Sequence, residues 1–199
     1  MAHLCLLAAI GFAIADWVAV AQERRLLEYL AKPATLGLLL LYAASGPEAS
    51  WYLLAALALA LLGDVYLMLP EELFPAGLAA FLLAHLAYIA DFDATPMARL
   101  GWFAGVALVS IPLARKILGG VTDTPMRLAV GFYMGVIALM VASAIASGEI
   151  VAAAGALLFI TSDALIALNR FVGPVAGGRL SIIVTYHLGQ LLLVVALRA

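Results

Sequence analysis

Long apolar runs separated by short polar breaks make up nearly the whole chain. Each run is about the length that crosses a hydrocarbon core of roughly 30 Å as a helix, some 20 residues at about 1.5 Å of rise each. The pattern predicts helices near 2–20, 30–45, 51–69, 74–91, 100–118, 127–146, 150–169 and 179–198. The second run is the least apolar, held between Lys32-Pro33 and Ser45-Gly46-Pro47-Glu48. Pro33 suits a first helical turn, where its missing N–H would have no partner in any case. The first run ends in Ala19-Val20-Ala21, as a cleaved leader would. It lacks a basic start and carries Asp16 within it, so a retained helix is expected, with His3 at the boundary.

The breaks are short and composition does not shift along the chain. The expectation is therefore a single integral membrane domain over 1–199. A faint echo divides it at about 1–98 and 99–199: Asp64 and Asp163 are each followed by a helix with polar aromatic residues, His85/Tyr88 and Tyr186/His187. Such an echo is the mark of a four-helix parallel repeat.

Composition names the solvent. Of 199 residues, 67% are hydrophobic and 11% charged, whereas a soluble domain carries roughly a quarter of charged residues. The fold class is all-α, a polytopic membrane bundle. A net charge of −2 without a basic run argues against a nucleic-acid partner. Cys5, the single cysteine, rules out an intramolecular disulfide.

The cations then fix an expected orientation. With eight spans, Arg24, Arg25, Lys32, Arg115, Lys116, Arg127, Arg170 and Arg179 share one side, and only Arg99 and Arg198 lie on the other. Omitting the second span would divide the cations evenly. The positive-inside rule therefore selects eight helices with both termini non-cytoplasmic, and puts the Glu71-Glu72 loop on the cytoplasmic side. Trp17, Trp51 and Trp102, near span ends, read as interfacial anchors.

Ionisable groups are costly inside a bilayer unless they face a protein interior and find partners. The intramembrane set is Asp16, Asp64, His85, Asp163 and His187, supported by Tyr88, Tyr133, Tyr186 and Gln190. Most of these fall between the cytoplasmic interface and the midplane. Tyr186 and Gln190 share a helix face at i,i+4, and His85 and Tyr88 are neighbours at i,i+3. Asp16, one turn from the interface, reads as solvated, and Lys32 as reaching out to headgroups or a phosphate. Thr161 and Ser162 are of the kind that bond back to their own helix.

Five stretches carry a resemblance: "YLAKPATLGLLL" (29–40), "LLGDVYLML" (61–69), "GLAAFLLAHLAYIADF" (77–92), "GALLFITSDALIALNRF" (155–171) and "VTYHLGQLLLV" (184–194). In order and spacing the sequence is similar to the YhhN family of lysoplasmalogenase-like membrane proteins. The resemblance implies about eight helices and hydrolysis of the vinyl ether bond of alkenyl lysophospholipids. The products would be a fatty aldehyde and glycerophosphoethanolamine or glycerophosphocholine. Carried over, the family pattern marks Lys32, Gly63, Asp64, His85, Tyr88, Ser162, Asp163, Tyr186 and Gln190. Many members have a second tyrosine where this chain has His187.

Vinyl ether hydrolysis requires a proton on the β-carbon and stabilisation of the resulting oxocarbenium ion. Glycosidases meet a related demand with two carboxyl groups. Asp64 and Asp163 are the expected catalytic pair. Lys32, His85, Tyr88, Ser162, Tyr186, His187 and Gln190 are the expected substrate-binding or supporting residues. No cofactor is expected, and the partners are a lysophospholipid substrate and the membrane lipids. Asp64, His85, Asp163 and His187 have ligand types that suit a metal, but no two of them are spaced i,i+3 or i,i+4 on one helix, so no metal is expected. A proton-coupled membrane carrier and a non-catalytic lipid-binding membrane protein are the alternatives. The expected location is a bacterial inner (plasma) membrane, with the site in the cytoplasmic half.

Overall fold

The computed structural model describes residues 2–47, 49–69 and 73–198. Glu48 of the second break and the Glu71-Glu72 loop, with its cytoplasmic assignment, lie outside the described residues. The described residues form eight helices, each long and apolar enough to cross a membrane, and no strand. They are α1 (Ala2–Ala21), α2 (Arg25–Ala44), α3 (Trp51–Met68), α4 (Phe74–Asp91), α5 (Pro96–Gly120), α6 (Thr124–Ala146), α7 (Ile150–Phe171) and α8 (Gly178–Leu197).

Three helices begin ahead of their apolar runs, α5 and α6 at side-chain caps. α2 starts at Arg25, ahead of the expected start at 30, so Pro33 lies inside it and not in its first turn. Pro33 cannot donate the amide hydrogen that would bond the Tyr29 carbonyl four residues back. α5 starts at Pro96, with Thr95 capping the Ala98 amide at 3.3 Å. α6 starts at Thr124, with Asp123 accepting from the Met126 amide at 2.8 Å. Proline in the first turn and a Thr or Asp ahead of it nucleate each helix in the polar residues before the apolar run.

Contacts divide the chain into two compact units. The first holds α1–α4 and the end of α8 from Val194; the second runs from Phe92 to Leu193.

In the first unit α1 and α2 form a tight hairpin. Glu23 adopts a left-handed conformation (φ 56°), and the Arg24 amide returns to the Ala19 carbonyl at 2.8 Å. This closes the helix end as a Schellman turn does, with Glu23 where glycine is usual. One stripe of α1, through Ala9, Ala13, Asp16 and Val20, is buried. α3 and α4 approach closely at two glycines. A Cβ on Gly63 would lie 2.7 Å from the Phe81 ring, and one on Gly77 would lie 2.7 Å from Leu67 Cδ2. Arg198 closes the end of α2: its Nε donates to the Tyr42 carbonyl at 2.8 Å, and its guanidinium lies 4.1 Å from the Tyr42 ring centre. A cation there suits the negative end of the helix dipole.

In the second unit α6 packs against both α5 and α7, and it is well buried from Val136 to Ala144. α5 buries only Ile117 and turns most of its length outward. α7 and α8 cross backbone to backbone. A Cβ on Gly155 would lie 2.9 Å from the Gly189 carbonyl oxygen, and one on Gly189 would lie 3.0 Å from that of Gly155. Small residues at such crossings let helices approach closely in a membrane.

Candidate active site

In the first unit the polar side chains converge from α2, α3 and α4. Gly63 turns its bare Cα toward Phe81 of α4. Asp64, the next residue, reaches α2: Lys32 Nζ lies 3.0 Å from Asp64 Oδ1. The aspartate side chain is 1% exposed and that of the lysine 15%. Lys32 therefore does not stand out to the headgroups. It forms an ion pair that keeps Asp64 compensated inside the unit, and removing either partner would leave a buried charge. Thr35, one turn along α2, donates to its own Ala31 carbonyl at 2.9 Å and presents no free hydroxyl hydrogen. His85 and Tyr88 are both fully buried on α4.

Asp16 differs from its expectation. It is fully buried on α1, not solvated, because it lies on the stripe that α1 buries and not on its outer face.

Farther along α3 and α4, Ser50, the N-cap of α3, donates its hydroxyl hydrogen to Asp91 at the last residue of α4. Arg99 of the second unit donates to the Phe92 carbonyl. Asp91, the last residue of the expected 74–91 helix, is not in the expected polar set.

In the second unit Asp163 on α7 accepts a hydrogen bond from the Tyr133 hydroxyl on α6. Tyr133, expected only as polar support, has nothing in its own sequence surroundings that marks it as the partner of Asp163. Ser162 does not bond to its own helix: its hydroxyl donates to the Ile182 carbonyl of α8 at 3.0 Å, tying α7 to α8. Thr161 does bond back, to Leu157 at 2.7 Å. On α8, Tyr186 meets Phe159 of α7 edge to face at 5.4 Å, and the His187 ring lies 5.6 Å from it. His187 and Gln190 are fully buried and Tyr186 nearly so. The Gly155–Gly189 crossing makes this possible, since it brings the α8 aromatic groups down onto α7.

Among the described residues no three of His, Cys, Asp and Glu gather as a metal site would require.

Eight helices long and apolar enough to cross a membrane, with the buried Asp64 paired to a lysine and the half-buried Asp163 to a tyrosine, define a polytopic integral membrane protein. The model of the YhhN family matches residues 27–197, and the chain belongs to that family. Relatives include Lysoplasmalogenase TMEM86B of Mus musculus, 31% identical over 153 residues, covering 77% of this chain and 66% of that protein. Lysoplasmalogenase TMEM86B of Sus scrofa is 35% identical over 138 residues, covering 69% and 59%. Lysoplasmalogenase TMEM86A of Homo sapiens is 32% identical over 141 residues, covering 65% and 58%. In each case the chain spans less than two thirds of the relative's own length. No solved structure gives a significant match.

Proposed function

We propose that this protein is a lysoplasmalogenase-like hydrolase that cleaves the vinyl ether bond of alkenyl lysophospholipids. The observation that carries the reading is the buried Lys32–Asp64 pair, a compensated carboxyl group inside a membrane bundle. It is supported by relatives named lysoplasmalogenase.

Asp64 and Asp163 are the two carboxyl groups assigned to the reaction. One delivers a proton to the β-carbon of the vinyl ether, and the double-bond electrons form the new C–H bond. The other, as carboxylate, stabilises the oxocarbenium ion and takes a proton from the water that adds to its carbon. The hemiacetal then breaks its C–O bond to glycerol and its hydroxyl proton passes to the glycerol oxygen. That step releases the fatty aldehyde and leaves the glycerophospho headgroup product. Returning the water-derived proton to the first carboxyl resets the pair. Positioned acid catalysis of this kind contributes about 10²–10⁴-fold. Tyr133 orients Asp163, and Lys32 orients Asp64. His85, Tyr88, Tyr186, His187 and Gln190 are the groups that would orient water and the glycerol hydroxyl, with Ser162 holding α7 on α8. The orientation proposed is both termini non-cytoplasmic in a bacterial inner membrane, with the reaction in the cytoplasmic half.

Aldehyde release from alkenyl lysophosphatidylethanolamine by the purified protein tests the reading. Asp64→Asn and Asp163→Asn should each lower the rate by about 10²-fold or more. Wild-type protein that releases no aldehyde from either ethanolamine or choline alkenyl lysolipids overturns it in favour of a carrier or lipid-binding protein.

A further inference from the structure

Asp16 lies on α1, outside the residues that match the family model, and the reaction above gives it no task. A carboxyl group with no exposed surface in a membrane helix is costly unless its charge is balanced. The hairpin sets its level. Asp16 stands 21 − 16 = 5 residues before the end of α1, and Lys32 stands 32 − 25 = 7 residues after the start of α2. At about 1.5 Å per residue the two Cα atoms are roughly 8 and 11 Å from the turn, a difference that a lysine side chain spans. Lys32 in turn ends 3.0 Å from Asp64.

Charge then decides the protonation. One ammonium cannot balance two carboxylates, and an uncompensated charge in a low-dielectric interior is relieved most cheaply by taking up a proton. Two carboxyl groups that share a site hold one proton between them. The helix packed on α1 carries Glu28 and Tyr29 nearer its hairpin end, and beyond it α3 carries Tyr66 and α4 carries the buried His85 and Tyr88.

We propose that Asp16 joins Lys32 and Asp64 in a buried charge cluster that holds one proton between its two carboxyl groups. Asp16 is a positioning residue in this cluster: it holds the shared proton beside the Lys32–Asp64 pair, so that Asp64 has a proton to pass on. The catalytic part of the inference rests on the hydrolase reading; the shared proton does not.

Infrared titration of the full chain in phospholipid nanodiscs, without substrate, tests the cluster. Wild type should show a protonated-carboxyl band that Asp16→Asn and Asp64→Asn each abolish and Asp163→Asn leaves in place. Asp16→Glu should keep it, and Lys32→Met, which leaves two carboxyl groups without their cation, should add a second. The absence of the band in wild type, as when His85 takes the proton, overturns the proposal. So does its survival in Asp64→Asn, which would mean that Asp16 holds its proton alone. If Asp16→Asn does not fold, Asp64→Asn and Lys32→Met decide alone. With an alkenyl lysolipid, Asp16→Asn should lower kcat about 10²-fold and alter its pH profile, with KM little changed and Asp16→Glu partly restoring the rate. A wild type without hydrolase activity would remove the catalytic part and leave the infrared result to judge the cluster.

Discussion

Asp64 was legible as unusual because a lone carboxyl stands out in an apolar run, but its partner was not. Lys32 lies 32 positions earlier beside a proline, where its length allows it to serve either a headgroup or an interior acid. Only the packing of α2 on α3 chooses between them. Breaking the pair from one side should cost about 3–5 kcal/mol. Unfolding in mixed micelles should show that loss in Lys32→Met, with most of it recovered in Lys32→Met/Asp64→Asn. Equal stability of all three proteins would mean that the pair carries no structural weight. Tyr133→Phe removes one hydrogen bond to Asp163 and should cost about 1 kcal/mol, while lowering aldehyde release in the assay above. Asp16 was misplaced for a different reason. Nearness to a helix end implies solvent only if the residue lies on the outer face, and the face is set by how α1 meets α2.

Among the helices, α3/α4 and α7/α8 are held at distances that admit no extra methyl group. Gly155→Ala would place its Cβ against backbone atoms of Gly189 and Leu193, which cannot turn aside as a side chain can. A loss of about 1–3 kcal/mol is expected in thermal unfolding, as for other overpacked sites. Gly101 on α5 meets nothing within 4 Å, so Gly101→Ala should leave stability unchanged or raise it slightly. Gly63→Ala should behave as Gly155→Ala does, softened by whatever rotation the Phe81 ring allows. Gly63 stands in the sequence only as the neighbour of Asp64, and nothing there shows that Phe81 comes up against it. At Gly155 and Gly189 the sequence shows two ordinary glycines, and the crossing that requires both exists only in three dimensions. Pro33 shows the opposite limit. A start placed by hydropathy puts it in the first turn, while the polar residues Arg25 and Glu28 extend the helix ahead of it.

For the whole molecule, the proposed orientation comes from the distribution of cations. Cysteine labelling in a Cys5→Ala background tests it. Thr122→Cys, between α5 and α6, should be reached only from the cytoplasmic side, and Ser147→Cys, between α6 and α7, only from the other. The reverse pattern would invert the positive-inside assignment. Eight helices were readable because a bilayer leaves a chain little choice: every backbone group must bond within its own helix, so length and apolarity mark all but the second, which the distribution of cations adds. The division of contacts after Asp91, with α8 ending among the first four helices from Val194, has no counterpart in composition or loop length.

The sequence by itself determined that this is a membrane protein, how many helices are long and apolar enough to cross, and that carboxyl groups lie among them. Hydropathy acts locally, on every residue of a span at once, and so survives without coordinates. The tertiary structure alone decided the partners: Lys32 with Asp64, Tyr133 with Asp163, Ser162 with the α8 backbone. Pairing depends on which face of each helix meets its neighbour and at what depth, and in helices as uniformly apolar as α3 and α6 no amphipathic stripe announces the face.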